Sequence, residues 1–246
     1  MKLTKIIRKP AEELLNLLFP RRCALCDGIL KRKEHGICAV CGEKYPLIRS
    51  GFPPGMNRCT LCSRPLTRPA EYCESCKKTE HVFTRGIAAF PYRGAVRDGI
   101  LRLKYGGRAE YASFFAEALC AAGLSLFREW DIQVIVPVPV HRMRLAKRGY
   151  NQAEEIAGCL SRLTGIPMDT GLLKRKRNTR AQKKLGRRAR AANLRNAFTA
   201  GKPFRKYRNV LIVDDIYTTG STVDAAAEVL IKNGCGHIYF TAVCIS

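Results

Sequence analysis

Apolar positions along this chain fall into two textures that divide near residue 81. Beyond that point, "RGIAAFPY", "DIQVIVPVPV", "VLIV" at 210–213 and "HIYFTAVCI" are runs with little polar alternation, which predicts strands buried on both faces. Between them, "AVRDGILRLKY", "YASFFAEALCAAG", "NQAEEIAGCLSRL" and "STVDAAAEVLIKNG" carry apolar residues at helical spacing, the last stopped by Gly234. Strands alternating with helices predict an α/β fold, a mostly parallel sheet covered by helices on both sides. Ahead of residue 81 aliphatic residues are sparse. Leu14, Leu15, Leu17, Leu18 and Phe19 predict a short amphipathic helix within 1–19; Glu12, Glu13 and the following "FPRRC" argue against a secretory signal.

What replaces an aliphatic core between residues 20 and 80 is cysteine. Eight of the chain's 12 cysteines form four C-x-x-C turns, Cys23/Cys26, Cys38/Cys41, Cys59/Cys62 and Cys73/Cys76. Each turn presents two thiolates to one tetrahedral centre, so four turns predict two four-thiolate Zn2+ sites. Sequential pairing is favoured, with "SGFPPGMN" as the linker between two ribbons; an interleaved pairing satisfies the same spacing. His35 and His81 lie near the turns but are read as surface residues, since four thiolates already complete each site. Four thiolates leave no position for a reactive water, so both metals are expected to be structural and to supply much of this segment's folding free energy. Cys120, Cys159, Cys235 and Cys244 sit in apolar contexts and read as inert thiols. Unpaired thiols beside zinc thiolates imply a reducing compartment, the cytoplasm. No apolar run is long enough to span a membrane.

Charge adds a partner class. Lysine and arginine number 44 against 20 acids, a formal charge of +24, which points to an anionic partner. Within that excess, "VLIVDDIYTTGST" from Val210 to Thr222 is the one place where two acids stand together at a strand end, and ligands in open α/β sheets bind at the carboxyl ends of strands. The following loop leads into a helix whose first N–H groups lack intrahelical partners; Thr218, Thr219, Ser221 and Thr222 add hydroxyls, and Gly220 lets the backbone approach an anion. No lysine follows as in a Walker A loop, and a dinucleotide fingerprint would need three glycines. Carboxylates would repel a polyphosphate but accept hydrogen bonds from a vicinal diol, at about 1.5–3 kcal/mol each. A ribose 5-phosphate satisfies both halves, with Asp214 and Asp215 on the diol and the loop on the phosphate.

Those residues resemble the phosphoribosyl diphosphate (PRPP) motif of type I phosphoribosyltransferases. Together with the four C-x-x-C turns, "LKYGGR", "VPVPVHRMRLAKRGYNQAEEIA" and "RNTRAQKKLGRRARAANLRNAF", the chain resembles the ComF family of competence proteins used in DNA uptake. The resemblance, which runs from about residue 20 onward, implies a double zinc ribbon at 20–80 and a type I phosphoribosyltransferase fold at 82–246, after the helix expected at 1–19. It implies that PRPP, carried with Mg2+, meets Asp214, Asp215, Ile216, Tyr217, Thr218, Thr219, Gly220, Ser221 and Thr222. The two aspartates would be the catalytic pair, with His141 and Arg142 beside the diphosphate. A DNA-uptake helicase or recombination proteins are implied as partners. Transfer of ribose 5-phosphate to a nitrogenous base is the alternative to binding alone.

From Lys174 to Arg208 there are fifteen basic residues and no acid. A flexible loop over 174–195, closing on PRPP, is the expectation. Arg180, Lys183, Lys184, Arg187 and Arg188, with Arg142, Arg144, Lys147 and Arg148, are the expected contacts to single-stranded DNA. Tyr105 and Tyr150 are possible stacking platforms, each more simply explained as a buried tyrosine.

Overall fold

The structure, a computed structural model, describes residues 19–46, 52–53, 55–176, 197–201 and 203–246. The expected helix at 1–19 and most of the 174–195 loop, including Arg180, Lys183, Lys184, Arg187 and Arg188, lie outside the described residues.

Four parallel strands form the central sheet: β1 (Arg85–Pro91), β2 (Val134–Pro137), β5 (Asn209–Tyr217) and β6 (His237–Ile245), in the order β1-β6-β5-β2. A separate antiparallel pair, β3 (Leu173–Arg175) and β4 (Phe198–Ala200), closes the root of the basic segment. Helices α1 (Ala39–Lys44) and α2 (Glu74–Lys77) belong to the cysteine-rich region; α3 (Gly94–Tyr105), α4 (Tyr111–Glu129), α5 (Arg142–Arg148), α6 (Gln152–Thr164) and α7 (Ser221–Lys232) follow.

Alternation along the strands sorts side chains into two cores, as a pleated sheet buried on both faces requires. Ile87, Ala89, Leu211 and Val213 face one core with Ile100, Phe115 and Leu160 from α3, α4 and α6. Ala88, Val210, Ile212 and Phe240 face the other with Val223, Ala227 and Leu230 from α7. Each cysteine cluster joins one of them: Cys23, Ala24, Leu25 and Ile37 pack into the first core, Cys59, Cys62 and Cys73 into the second. The cysteine-rich region therefore straddles the sheet at its β1 edge. Its second half meets that edge directly, where the Gly86 N–H donates to the Leu61 carbonyl at 2.8 Å and Arg85 Nε to the Thr60 carbonyl at 2.9 Å.

Local chemistry explains the boundaries that matter for the site. Asn151 caps α6 by accepting from the Ala153 N–H at 3.2 Å, and Gly165 ends it at φ +76°. β5 runs four residues past the expected "VLIV", because parallel pairing with β6 continues to Tyr217↔Ile245. The two carboxylates thus sit within the strand's last turns of pleat, before the loop begins.

Candidate ribose-phosphate site and zinc centres

Asp214 and Asp215 are neighbours in sequence but not in environment. Asp215 is 3% exposed and turned inward, where Lys104 Nζ, in the last turn of α3, meets its Oδ1 at 2.8 Å. Its Oδ2 is buried without a hydrogen-bond partner among the described residues. Burial by itself would lower the Lys104 pKa, but the Asp215 carboxylate outweighs it and holds the ammonium protonated. Asp214 is half-buried, and its Oδ1 accepts the Asp215 N–H at 2.8 Å. Burial, then the Asp215 charge, push its carboxyl up to about 7, against the pull of Lys104 and Arg175. The two acids expected to share the diol therefore differ: Asp215 is inward and salt-linked, whereas Asp214 is half-buried and has no ion pair among the described residues.

Beyond the strand, Thr218 is exposed and Thr219 Oγ1 lies 2.9 Å from Ser221 Oγ. Gly220 adopts φ +83°, which an L side chain would resist, and it starts α7 with no side-chain cap. The first-turn N–H groups of α7 are thereby left to a ligand or water. His81 packs against this turn: its Cε1 lies 2.7 Å from where a Gly220 Cβ would stand. The histidine read as a surface residue has a side chain only 1% exposed, its Nδ1 2.9 Å from Asp224 Oδ2.

His141 and Arg142, expected beside a diphosphate, begin α5. His141 is its N-cap, Nδ1 accepting from the Met143 N–H at 3.3 Å, and Arg142 is exposed. A cleft of about 570 Å³ opens between the end of α3 and α5, lined by Lys104, Tyr105, Gly107, Arg144, Lys147 and Arg148. One cation of this cleft, Lys104, is the partner of Asp215, so the basic cleft and the acidic pair share a wall. Tyr105 is 75% exposed with the Arg148 guanidinium 5.3 Å from its ring centre, which leaves a face open to stacking. Tyr150, by contrast, is half-buried and donates to the Leu103 carbonyl, a structural role. Lys104 carries no sequence signal pointing to Asp215; only the fold brings them together.

The cysteines pair sequentially. The sulfurs of Cys23, Cys26, Cys38 and Cys41, and separately those of Cys59, Cys62, Cys73 and Cys76, lie within 4.8 Å of one another. Cys26 and Cys38 sulfurs are 3.8 Å apart, as are those of Cys62 and Cys73. A tetrahedral zinc with Zn–S of about 2.3 Å needs sulfur separations of about 3.8 Å, so both sets fit the metal. The Cys38 N–H also donates to Cys23 Sγ at 3.3 Å, the kind of bond that stabilises a thiolate. Neither His35 nor His81 belongs to a cluster. All four remaining cysteines are free thiols, Cys120 and Cys159 half-buried, Cys235 and Cys244 buried. Among the described residues no helix is long and apolar enough to cross a membrane.

Comparison with known proteins assigns the two parts separately. Residues 14–77 match the family described as double zinc ribbon domain, and residues 134–244 the family described as phosphoribosyl transferase domain. The DNA utilization protein YhgH of Escherichia coli (strain K12) is 31% identical over 231 residues, covering 93% of this chain and 98% of the relative. Competence protein F of Haemophilus influenzae is 32% identical over 225 residues, covering 89% and 95%. Competence protein ComFC of Bacillus subtilis is 24% identical over 229 residues, covering 86% and 89%. With two four-cysteine centres that fit zinc, a parallel α/β sheet ending in an acidic pair, and relatives matched along nearly their whole length, this chain belongs to the ComF family, in which a double zinc ribbon precedes a phosphoribosyltransferase fold.

Proposed function

We propose that the chain binds PRPP with its Mg2+ at the end of β5 and single-stranded DNA along the basic cleft, and that it acts in the handling of incoming DNA. One observation carries the PRPP half: a half-buried carboxylate, Asp214, near the end of β5 and a few residues before an uncapped helix N-terminus, while Lys104 ties back the second acid. A diol on Asp214 and a phosphate monoester on the loop from Thr218 to Thr222 would use both features. Mg2+ arrives with the diphosphate and neutralises part of its charge. The cleft's cations beside the exposed ring of Tyr105 support a flexible polyanion with unstacked bases. His141 serves the site by capping α5, which holds Arg144, Lys147 and Arg148 on the cleft wall.

The test is a pH series of PRPP titrations. Asp215, Lys104 and Arg175 are the charged groups acting on Asp214, whose carboxyl they and burial leave near 7. Ribose hydroxyls donate to the ionised form, so binding takes up the charged state and affinity rises between pH 6 and 8. Asp214→Asn should weaken binding about tenfold or more at pH 8 and remove the part of the pH dependence that belongs to the protein. An unchanged profile in Asp214→Asn sinks the assignment. In the same samples, an oligonucleotide contacting about five cations should show a salt slope near −3.5. Diphosphate release on adding nitrogenous bases would mark the chain as a transferase.

A further inference from the structure

The two zinc knuckles are built alike, residue for residue. "CALCDG" and "CTLCSR" each fold so that the first cysteine's N–H donates at 2.8 Å to the carbonyl five residues on, Cys23 to Gly28 and Cys59 to Arg64. Each carries a left-handed residue after the second cysteine, Asp27 at φ +63° and Ser63 at φ +67°. Each closes with an isolated antiparallel bridge, Arg22↔Ile29 and Arg58↔Pro65. The knuckle itself therefore accepts glycine at the position Arg64 occupies, and the arginine answers to something else.

Arg64 Nη2 donates to the Thr218 carbonyl at 2.8 Å, the first residue of the loop proposed to hold the 5-phosphate. At the loop's far end Asp224, in the first turn of α7, takes the Val82 N–H at 3.0 Å and His81 Nδ1 at 2.9 Å. One knuckle thus grips the loop at its entry, and the chain leaving that ribbon grips it at its exit. A loop that turns its N–H groups toward an anion must turn carbonyls away, and those need donors of their own. A guanidinium does this while adding positive charge behind the peptide whose N–H faces the ligand.

We propose that the second zinc ribbon is a positioning element of the phosphate loop, acting through Arg64 on Thr218 and through His81 on Asp224, whereas the first ribbon has no such role. This rests on the PRPP reading for its ligand but not for its geometry. The test uses Arg64→Gly, which copies the first knuckle and so preserves the zinc site, and Arg64→Lys, which restores a charged donor. Zinc content, amide exchange across residues 218–224 and PRPP affinity are measured on the full chain.

The expected result for Arg64→Gly is two zinc ions retained, exchange at 218–224 faster by about tenfold, and PRPP affinity reduced by about tenfold. Arg64→Lys should recover part of both, which a mere loss of side-chain packing would not. Unchanged exchange in Arg64→Gly overturns the proposal. Faster exchange in a protein whose wild type binds no PRPP supports the grip and overturns the ligand reading instead.

Discussion

The first and second zinc ribbons share a sequence pattern and a knuckle geometry, yet they meet the α/β body in different ways. The first docks by close backbone approach to two helices. The Ala24 carbonyl lies 2.3 Å from where a Gly99 Cβ would stand in α3, Gly36 packs its left-handed backbone on Phe114 of α4, and Arg102 reaches the Leu25 carbonyl at 2.9 Å. The second docks on the β1 edge and on the loop after β5. One surface is chosen for fit, the other for what it touches. A metal centre of given spacing fixes only the knuckle, and the few residues beyond the cysteines decide whether it staples or positions.

Metal loss is the largest perturbation that separates them. Structural zinc contributes about 10 kcal/mol or more to the folding of small thiolate sites at neutral pH, so replacing one ligand in either ribbon should cost much of its order. Cys41→Ser and Cys73→Ser are each expected to lose one zinc and lower the melting temperature by roughly 10 °C or more. Only Cys73→Ser should also accelerate exchange at 218–224, because among the described residues the hydrogen bond from a zinc knuckle to that loop comes from the second, through Arg64. Chelation should strip the first site sooner, since Cys26 is exposed while Cys59, Cys62 and Cys73 are buried. Zinc release in the opposite order, or equal loop exchange in both variants, would erase the distinction.

A finer contrast lies in two glycines that exist for close approach. At Gly86 in β1 an added Cβ would stand 2.0 Å from the Phe240 ring, and at Gly99 it would meet the Ala24 carbonyl. Alanine at either site should destabilise by about 1–3 kcal/mol, the usual cost of overpacking. Their functional effects should differ. Phe240 stacks on Tyr217 with ring centres 4.6 Å apart, and Tyr217 is the residue from which the loop departs. Gly86→Ala is therefore expected to lower both melting temperature and PRPP affinity. Gly99→Ala, which crowds the Ala24 carbonyl of the first ribbon and the Phe115 ring of the core facing it, should lower the melting temperature alone.

Which of these features could be read from the chain follows from whether they are local. The four central strands, four of the helices and the eight ligand cysteines announce themselves through periodicity and spacing. Helix α5 does not: Met143 and Leu145 are 63% and 42% exposed, so no apolar stripe marks it, and only His141 before it and Gly149 after it signal its ends. Asp214 and Asp215 are legible as a pair, but their inequality depends on Lys104, separated from them by most of the fold's connectivity. His81 reads as a surface residue because four thiolates leave it no metal to bind; its burial comes from Phe83, stacked at 4.6 Å, and from Asp224 in α7. Arg64 was within reach of the sequence, since aligning "CALCDG" with "CTLCSR" sets it against Gly28.

The smallest difference between the ribbons lies one residue earlier in each knuckle. Asp27 of the first ribbon accepts from the Tyr111 hydroxyl of α4 and pairs with Arg108 Nε at 3.3 Å and Arg22 Nη1 at 3.8 Å, whereas the side chain of its counterpart Ser63 takes, among the described residues, Arg58 Nη1 at 3.2 Å from within its own ribbon. Burial, and after it the Asp27 carboxylate, raise the Tyr111 pKa, so the phenol stays a donor throughout the working range. Tyr111→Phe removes that donor and leaves Asp27 with two guanidinium partners, so no buried charge is stranded. The expected cost is that of one hydrogen bond to a charged group in a partly wet site, about 1 kcal/mol, or roughly 2–4 °C in melting temperature. Zinc content, loop exchange and PRPP affinity should all stay at wild-type values, because this contact serves the seat of the first ribbon and nothing beyond it. A change in loop exchange on losing the Tyr111 hydroxyl would mean that the first ribbon also reaches the phosphate loop, through α4, and the contrast between staple and positioner would have to be redrawn.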